Sequence, residues 1–403
     1  MYSPSITQQN LEKVEQALKL KLHRYEPAQS YEISQFLQSL RTDKGEWKRP
    51  PRKEELAFIR NERILAQQDF HYFTRYANVI LDQGGIGPLK LWESQQVLLK
   101  KVAQLEERNI EQQQRSEPSD GILIADHKGG RQLGHTAVAR ALVWHRILTY
   151  GYTRAATVCV DEPGIHKVYE KDELLFEHVP FFLKPNLTFN EKDQHYGFSD
   201  FGSSLTYYQS QQRSGSGTGI GTGATYDISH MTEVSTYAYP DMLEMDFFPT
   251  LPQNPYTLCV LETTAFGRGN WWHIWSEAVR KGKKARWSYL FIPFYAEPSK
   301  YRRHPQVDWT PNETTLMMAK KVEESSPEFV GKAVILTREQ LYWWETSYME
   351  ALESNSLNKF LSNYAITPEQ SYQHSSVSAV PAQILDWMRT TTKSGVMYEL
   401  ETA

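Results

Sequence analysis

Apolar positions change their spacing twice along the 403-residue chain, dividing it into three stretches. From residue 1 to about 90 the spacing is helical. ITQQNLEKVEQALKLKLHRY sets Leu11, Val14, Leu18 and Leu22 on one face, and a second helix is expected across EELAFIRNERILAQQDFHYFTRYANVIL, residues 54–81. The basic, Pro-Pro-containing RTDKGEWKRPPRK between them reads as a solvated linker. From about 91 to 300 short apolar runs alternate with helical segments. Six strands are expected in GILIAD, RAATVCVDE, SSLTYYQS, TYDISHMTE, PYTLCVLETTAFG and WSYLFIPF. The helix TAVARALVWHRILTYG places Val138, Ala141, Leu142 and Leu148 on one side. Strands separated by helical spacers predict an α/β core with a mostly parallel sheet. From 301 to 403 the pattern returns to amphipathic helix in TPNETTLMMAKKVEESS and LTREQLYWWETSYMEALESN, the second opening on Thr337 and Gln340 at capping-box spacing.

Composition narrows the class without naming a chemistry. An apolar fraction of 40% and a charged fraction of 23% describe a globular chain, and 13% aromatic residues exclude wholesale disorder. A net charge of −4 confines any nucleic-acid surface to a local patch. The two cysteines, Cys159 and Cys259, fall inside apolar runs and read as buried strand thiols of a reducing compartment. No signal peptide or membrane-spanning run is expected. RSGSGTGIGTGATYD, with glycine at every second position from Gly215 to Gly223, lacks the dinucleotide-binding pattern and reads as a loop.

The chemistry concentrates after the first strand of the core. From Gly129 the chain reads G-G-R-Q-L-G-H-T, close to the phosphate-loop pattern G-x-x-x-x-G-K-[ST], with His135 where the lysine belongs. The loop follows an apolar run and opens a helix, so its amides and the helix N-terminus converge on an anion. Gly129, Gly130, Arg131, Gln132, Leu133, Gly134, His135 and Thr136 are therefore the expected nucleotide-binding residues, with the Thr136 hydroxyl beside Mg²⁺. Histidine is a poor substitute for a permanent cation. Arg131 is the expected replacement, and Lys128 a second candidate from the strand side. In TYDISHMTE, Tyr226, Ile228 and His230 alternate with Asp227 and Ser229. Glu233 then falls at the strand end, where a catalytic carboxylate belongs, with Thr232 in the metal-associated position.

At these segments the chain resembles the motor domain of the large terminase subunits of tailed bacteriophages. GRQLGHT resembles that family's arginine-bearing first motif, HMTEVSTY its second motif, and ETTAFGRGNWW its coupling motif, while LWESQQVLL resembles its adenine-side glutamine segment. LFIPF, LTREQLYWWE and NYAITPEQSYQHS resemble its lid and exit sequence. The resemblance implies a P-loop ATPase of the ASCE type. Glu233 and Arg131 would be catalytic, Gln95 nucleotide-binding, and Glu262, Thr263, Thr264, Ala265 and Gly267 coupling residues. Its cofactors would be ATP and Mg²⁺. Its partners would be double-stranded DNA, a portal protein, a small terminase subunit and further copies of itself, in a ring that would be a pentamer when on the portal, with a monomer in solution as the alternative. It would act in the host cell cytoplasm. An arginine supplied in trans is expected from Arg140, Arg154, Arg213 or Arg302. The departures are His135, Thr232 and Phe266, and no acidic cluster for the family's nuclease domain is expected before Ala403. A helicase-like or repair ATPase, and a nucleotide-binding assembly module that does not hydrolyse, stay open as alternatives. No zinc or hydrolase-nucleophile motif competes.

Overall fold

The computed structural model describes residues 15, 16, 18, 19 and 21–373, apart from residues 83, 120, 191–194, 201, 211–219, 222, 240 and 266–268. Leu11, Val14, Arg213, most of the glycine-rich run, Phe266, Gly267 and the end of the exit sequence lie outside the described residues.

The helices α1 (Pro27–Ser39), α2 (Lys53–Gln68) and α3 (Phe70–Phe73) lead into the core. The long helix expected over 54–81 is therefore two helices and a strand. Asp69 turns to extended backbone, and its carboxylate accepts from the Tyr72 amide at 3.1 Å, capping α3 where α2 has ended. A small antiparallel hairpin follows, β1 (Asn78–Ile80) with β2 (Ile86–Pro88), and then the 22-residue α4 (Glu93–Gln114).

The core alternates as expected: β3 (Ile122–Gly129), α5 (His135–Thr149), β4 (Arg154–Cys159), α6 (Glu162–His178), β5 (Leu187–Asn190), β6 (His195–Phe198), β7 (Ser203–Gln209), β8 (Ile228–Thr232), β9 (Leu258–Thr263), α7 (Asn270–Lys281) and β10 (Ser288–Pro293). The strands form one eight-stranded sheet in the order β10-β3-β9-β8-β4-β7-β6-β5. All six expected strands are present and mutually parallel. Strands β5 and β6, an antiparallel extension beyond β7, were not expected. HYGF carries a histidine and a glycine in four residues and gives no strand signal. Tertiary packing supplies the reason for it: Tyr196 and Phe198 stand edge-on to the fully buried Trp144 of α5, at 5.5 and 6.0 Å.

Alternation along β3 sends Ile122 and Ile124 to one face and Leu123 and Ala125 to the other. The first face carries the N-terminal helices with α5 and α6 in one continuous core. The second carries Trp271 and Trp275 of α7 together with Phe247 and Phe248. Both faces being covered, the central strands are buried over most of their length, with Cys159 and Cys259 among their buried residues.

Four helices close the described chain: α8 (Glu313–Val330), α9 (Arg338–Glu353), α10 (Leu357–Asn363) and α11 (Pro368–Gln373). The Thr337–Gln340 capping box at the start of α9 forms as expected. Met318, Val322, Trp344 and Phe360 pack with Phe294 and Tyr295 into a third core. No helix of the described residues is long and apolar enough to cross a membrane.

Candidate phosphate-binding site

Parallel strands bring their carboxyl ends to one edge, where α/β sheets bind ligands. Here β3, β9 and β8 lie side by side with Asp126 opposite Glu262 and Thr232 opposite Glu262. The register thus gathers three expected motifs, from the glycine loop, from HMTE and from LETT, at one place. β3 is buried along its whole length, yet it ends on Asp126, His127 and Lys128 before Gly129. Charged groups so placed need partners.

The glycine loop is built as its sequence predicts. Gly134 has φ of 71° and caps α5, and a Cβ there would strike Gln95 Nε2. A Cβ on Gly130 would meet the Phe294 backbone at 2.8 Å. The loop is held from behind. Gln95 donates to the Gly134 carbonyl at 2.8 Å and accepts from the Trp92 amide at 2.9 Å; Ala365, beyond α10, donates to the Gly129 carbonyl at 2.9 Å. The Tyr301 hydroxyl donates to the Arg131 carbonyl. Gln95 therefore braces the loop with its carboxamide. Arg131 itself is exposed, and its guanidinium has no side-chain partner among the described residues.

His135 is not at the loop surface. It is fully buried, with Nδ1 2.6 Å from Asp126 Oδ2 on β3. The position that a P-loop lysine occupies in sequence is thus spent on tying α5 to the sheet. A cation does reach this edge from the strand side. Lys128 Nζ lies 3.0 Å from Glu233 Oε1 and 3.7 Å from Glu262 Oε1, with only 11% of its side chain exposed. Burial alone lowers a lysine pKa, but the Glu262 and Glu233 carboxylates outweigh it and raise the ammonium above its ordinary value.

Glu262 is the hub of this edge. Fully buried, it accepts from the Thr136 hydroxyl at 2.5 Å and the Thr232 hydroxyl at 3.0 Å, and His230 Nε2 lies 3.5 Å away. Burial opposes its charge, yet Lys128, His230 and Thr136 hold the carboxyl well below its usual range. Its second oxygen has no partner. Two hydroxyls and a carboxylate with a free oxygen are hard oxygen donors of the kind Mg²⁺ takes. Among the described residues no group of three or more His, Cys, Asp or Glu is placed to hold a metal, which a site of two hydroxyls and one carboxylate does not require. From its motif Glu262 is expected only as a coupling residue; the strand register brings it to the two hydroxyls as well.

Glu233 follows β8 with φ of 57° and ψ of 40°, a left-handed conformation that costs a non-glycine residue about 1–3 kcal/mol and clusters at functional sites. The turn directs its carboxylate back to Lys128, and its side chain stays 43% exposed. Two residues on, Ser235 joins this turn to the coupling motif, sharing a 2.7 Å hydrogen bond with Thr263 Oγ1 and donating to the Thr264 carbonyl at 2.7 Å. Ala265 is buried beyond them.

The expected trans arginines scatter. Arg140 is no candidate: it is buried inside α5, paired with both Asp172 oxygens at 2.9 and 2.5 Å, so it cannot reach another molecule. Arg154 opens β4 at the opposite edge of the sheet. Arg302 is exposed next to Tyr301, on the loop side.

A mostly parallel sheet, a glycine loop entering a helix from β3, and an acidic turn one strand beyond its neighbour define an α/β fold of the P-loop ATPase type. Solved structures with this likeness include the large terminase of bacteriophage HK97, at 12% identity and TM-score 0.45, covering 72% of this chain and 53% of that one. The large terminase of a thermophilic bacteriophage matches at 10% identity and TM-score 0.35, over 58% of this chain and 52% of that one. The ATPase domain of the Thermus phage P74-26 large terminase matches at 14% identity and TM-score 0.31, over 38% and 65%. The chain thus spans about half the length of the first two. No family profile and no curated protein matches it.

Proposed function

We propose that the chain is the ATP-hydrolysing motor of a viral DNA-packaging machine. The observation that carries the ATPase reading is the cluster at the carboxyl edge: Lys128, Thr136, Thr232, Glu233 and Glu262, from three motifs, within contact of one another. The ordered resemblance of the first, second and coupling motifs to large terminases supports packaging as the task.

In this reading the loop amides, the α5 N-terminus and the Arg131 guanidinium hold the phosphates. Thr136, Thr232 and Glu262 would hold Mg²⁺, which when bound supplies charge neutralisation on the phosphate oxygens. Glu233 orients a water for in-line attack. The water oxygen bonds to the γ-phosphorus, the bond to the bridging oxygen of ADP breaks, and Glu233 takes the proton. Without nucleotide, Lys128 neutralises Glu233. Phosphates entering beside Lys128 offer it a stronger anionic partner and free Glu233 for catalysis, so ATP itself arms the base.

The same reading carries the finer expectations: double-stranded DNA as the cargo, a ring of copies on a portal, a small terminase subunit as partner and the host cytoplasm as the place. Hydrolysis measured with and without duplex DNA and portal tests it. Acceleration by duplex and portal is the expected result. Hydrolysis driven by single strands instead would favour the helicase-like reading, and nucleotide binding without hydrolysis the assembly module.

A further inference from the structure

The carboxyl-edge site leaves one strongly charged feature of the molecule without a role. At the opposite edge of the sheet lies a groove of about 910 Å³, walled by α4, by the end of α7 with the turn after it, and by the starts of β3 and β10. Six cations line it: Lys101 and Arg108 from α4, and Lys281, Lys283, Lys284 and Arg286 from the run RKGKKAR. From Leu123 in the groove to Gly129 of the phosphate loop is six residues of extended strand, about 20 Å at about 3.3 Å each, so the two sites are separate.

Basic residues at a helix C-terminus complement its dipole, and that accounts for the end of α7. It does not account for Lys101 and Arg108, which face that end from another helix. Nor are the charges balanced locally. Glu277 takes Lys281 at 2.5 Å, and Glu244 reaches Arg286 at 3.6 Å. Lys101, Arg108, Lys283 and Lys284 have no carboxylate partner among the described residues. Burial, and to a lesser degree the nearby Arg108, lower the Lys101 pKa. On a chain of net charge −4, an uncompensated basic groove is a local anion-attracting field.

We propose that this groove binds the phosphodiester backbone of double-stranded DNA, without reading its sequence. The cations stand on facing walls of an open trough. That arrangement suits a repeating line of phosphates better than a single anion, which would need one converging cluster. The choice of duplex DNA rests on the motor reading above. Placed at the sheet edge away from the phosphate loop, the groove would grip cargo while the other edge handles nucleotide.

The test is anisotropy of a labelled mixed-sequence duplex with the full chain, across about 50 to 200 mM salt. The double variants Lys101→Gln/Arg108→Gln and Lys283→Gln/Lys284→Gln are each expected to weaken binding about tenfold and to lower the slope of log affinity against log salt by about two. Hydrolysis without DNA should stay at the wild-type rate in both. Lys320→Gln/Lys321→Gln, on α8 outside the groove, should bind as wild type. Groove variants with wild-type affinity and slope would overturn the groove, and DNA-stimulated hydrolysis persisting in them would leave the motor reading standing. Failure of the wild type to bind duplex at any salt would overturn both. Polyglutamate displacing the duplex and losing its own affinity in the groove variants, at lower concentration than unlabelled duplex, would overturn nucleic acid in favour of an acidic protein.

Discussion

Lys128 is the residue whose surroundings most constrain the chemistry. It is the cation shared by two carboxylates, one buried and one half-exposed. Removing it leaves the buried Glu262 carboxylate without its lysine counter-charge, held only by hydroxyls and His230 among the described residues, so Lys128→Ala is expected to lose about 3–5 kcal/mol of unfolding free energy, read by urea denaturation. Arg131 has no such neighbour. Arg131→Ala is expected to leave stability within about 0.5 kcal/mol of wild type while raising the KM for ATP. The two substitutions therefore separate two cations that the sequence alone left as alternatives. A wild-type KM in Arg131→Ala would remove the guanidinium from the phosphate clamp. Thr136 makes a parallel case: Thr136→Val should raise the Mg²⁺ concentration needed for half-maximal hydrolysis, measured by titrating the metal, because a donor hydroxyl is lost while the volume is kept.

At the scale of elements, the phosphate loop is held by parts of the chain far away in sequence. The segment after α10 hydrogen-bonds Gly129 through Ala365, and Ser371 of α11 meets His127 Nε2 at 3.0 Å. Movement of the C-terminal helices would therefore be felt at the loop directly. A buried tie of a different kind fixes α5 to α6: Arg140 with Asp172, joined by Tyr207 and Thr157. Arg140→Ala is expected to cost about 3–5 kcal/mol of stability in denaturant titration. An unchanged midpoint would contradict a structural role for this arginine. Ties of this kind are not visible in sequence. Strand identity was legible because six apolar runs sit between turn residues, and the order of motifs was legible because each ends a strand. The hairpin of β5 and β6 was not, since its aromatic residues gain their meaning from Trp144 on α5. Nor was the exchange of cations. Nothing local distinguishes a histidine turned toward Asp126 from one turned toward phosphate, and only the strand register puts Lys128 between Glu233 and Glu262.

For the whole molecule, buried histidines set the response to acid. Burial and the Lys128 charge lower the His127 pKa to about 3, and burial lowers that of His145 to about 4. Both stay neutral in the fold while the unfolded chain takes up protons below its ordinary value of about 6.5. Stability is then unaffected by these groups above pH 6.5 and falls as the pH drops through the window toward 4 and 3, by about 2 kcal/mol for each histidine at pH 5. Denaturant midpoints at pH 7 and pH 5 give the difference, and a flat profile would place these rings in contact with water. Across the same molecule, the parallel sheet separates the carboxyl-edge cluster from the basic groove; under the proposed function, that layout would keep hydrolysis and grip distinct events.

In the proposed function both edges take their meaning from one reaction, ATP hydrolysis with Glu233 as the base at the carboxyl edge. Phosphate release by wild type and Glu233→Gln, measured with Mg²⁺ and alongside binding of a fluorescent ATP analogue, tests that reaction most directly. Both proteins are expected to bind the analogue, with hydrolysis by the variant lower by about a hundredfold or more. Equal hydrolysis by the two proteins would take Glu233, and the cluster built around it, out of the mechanism.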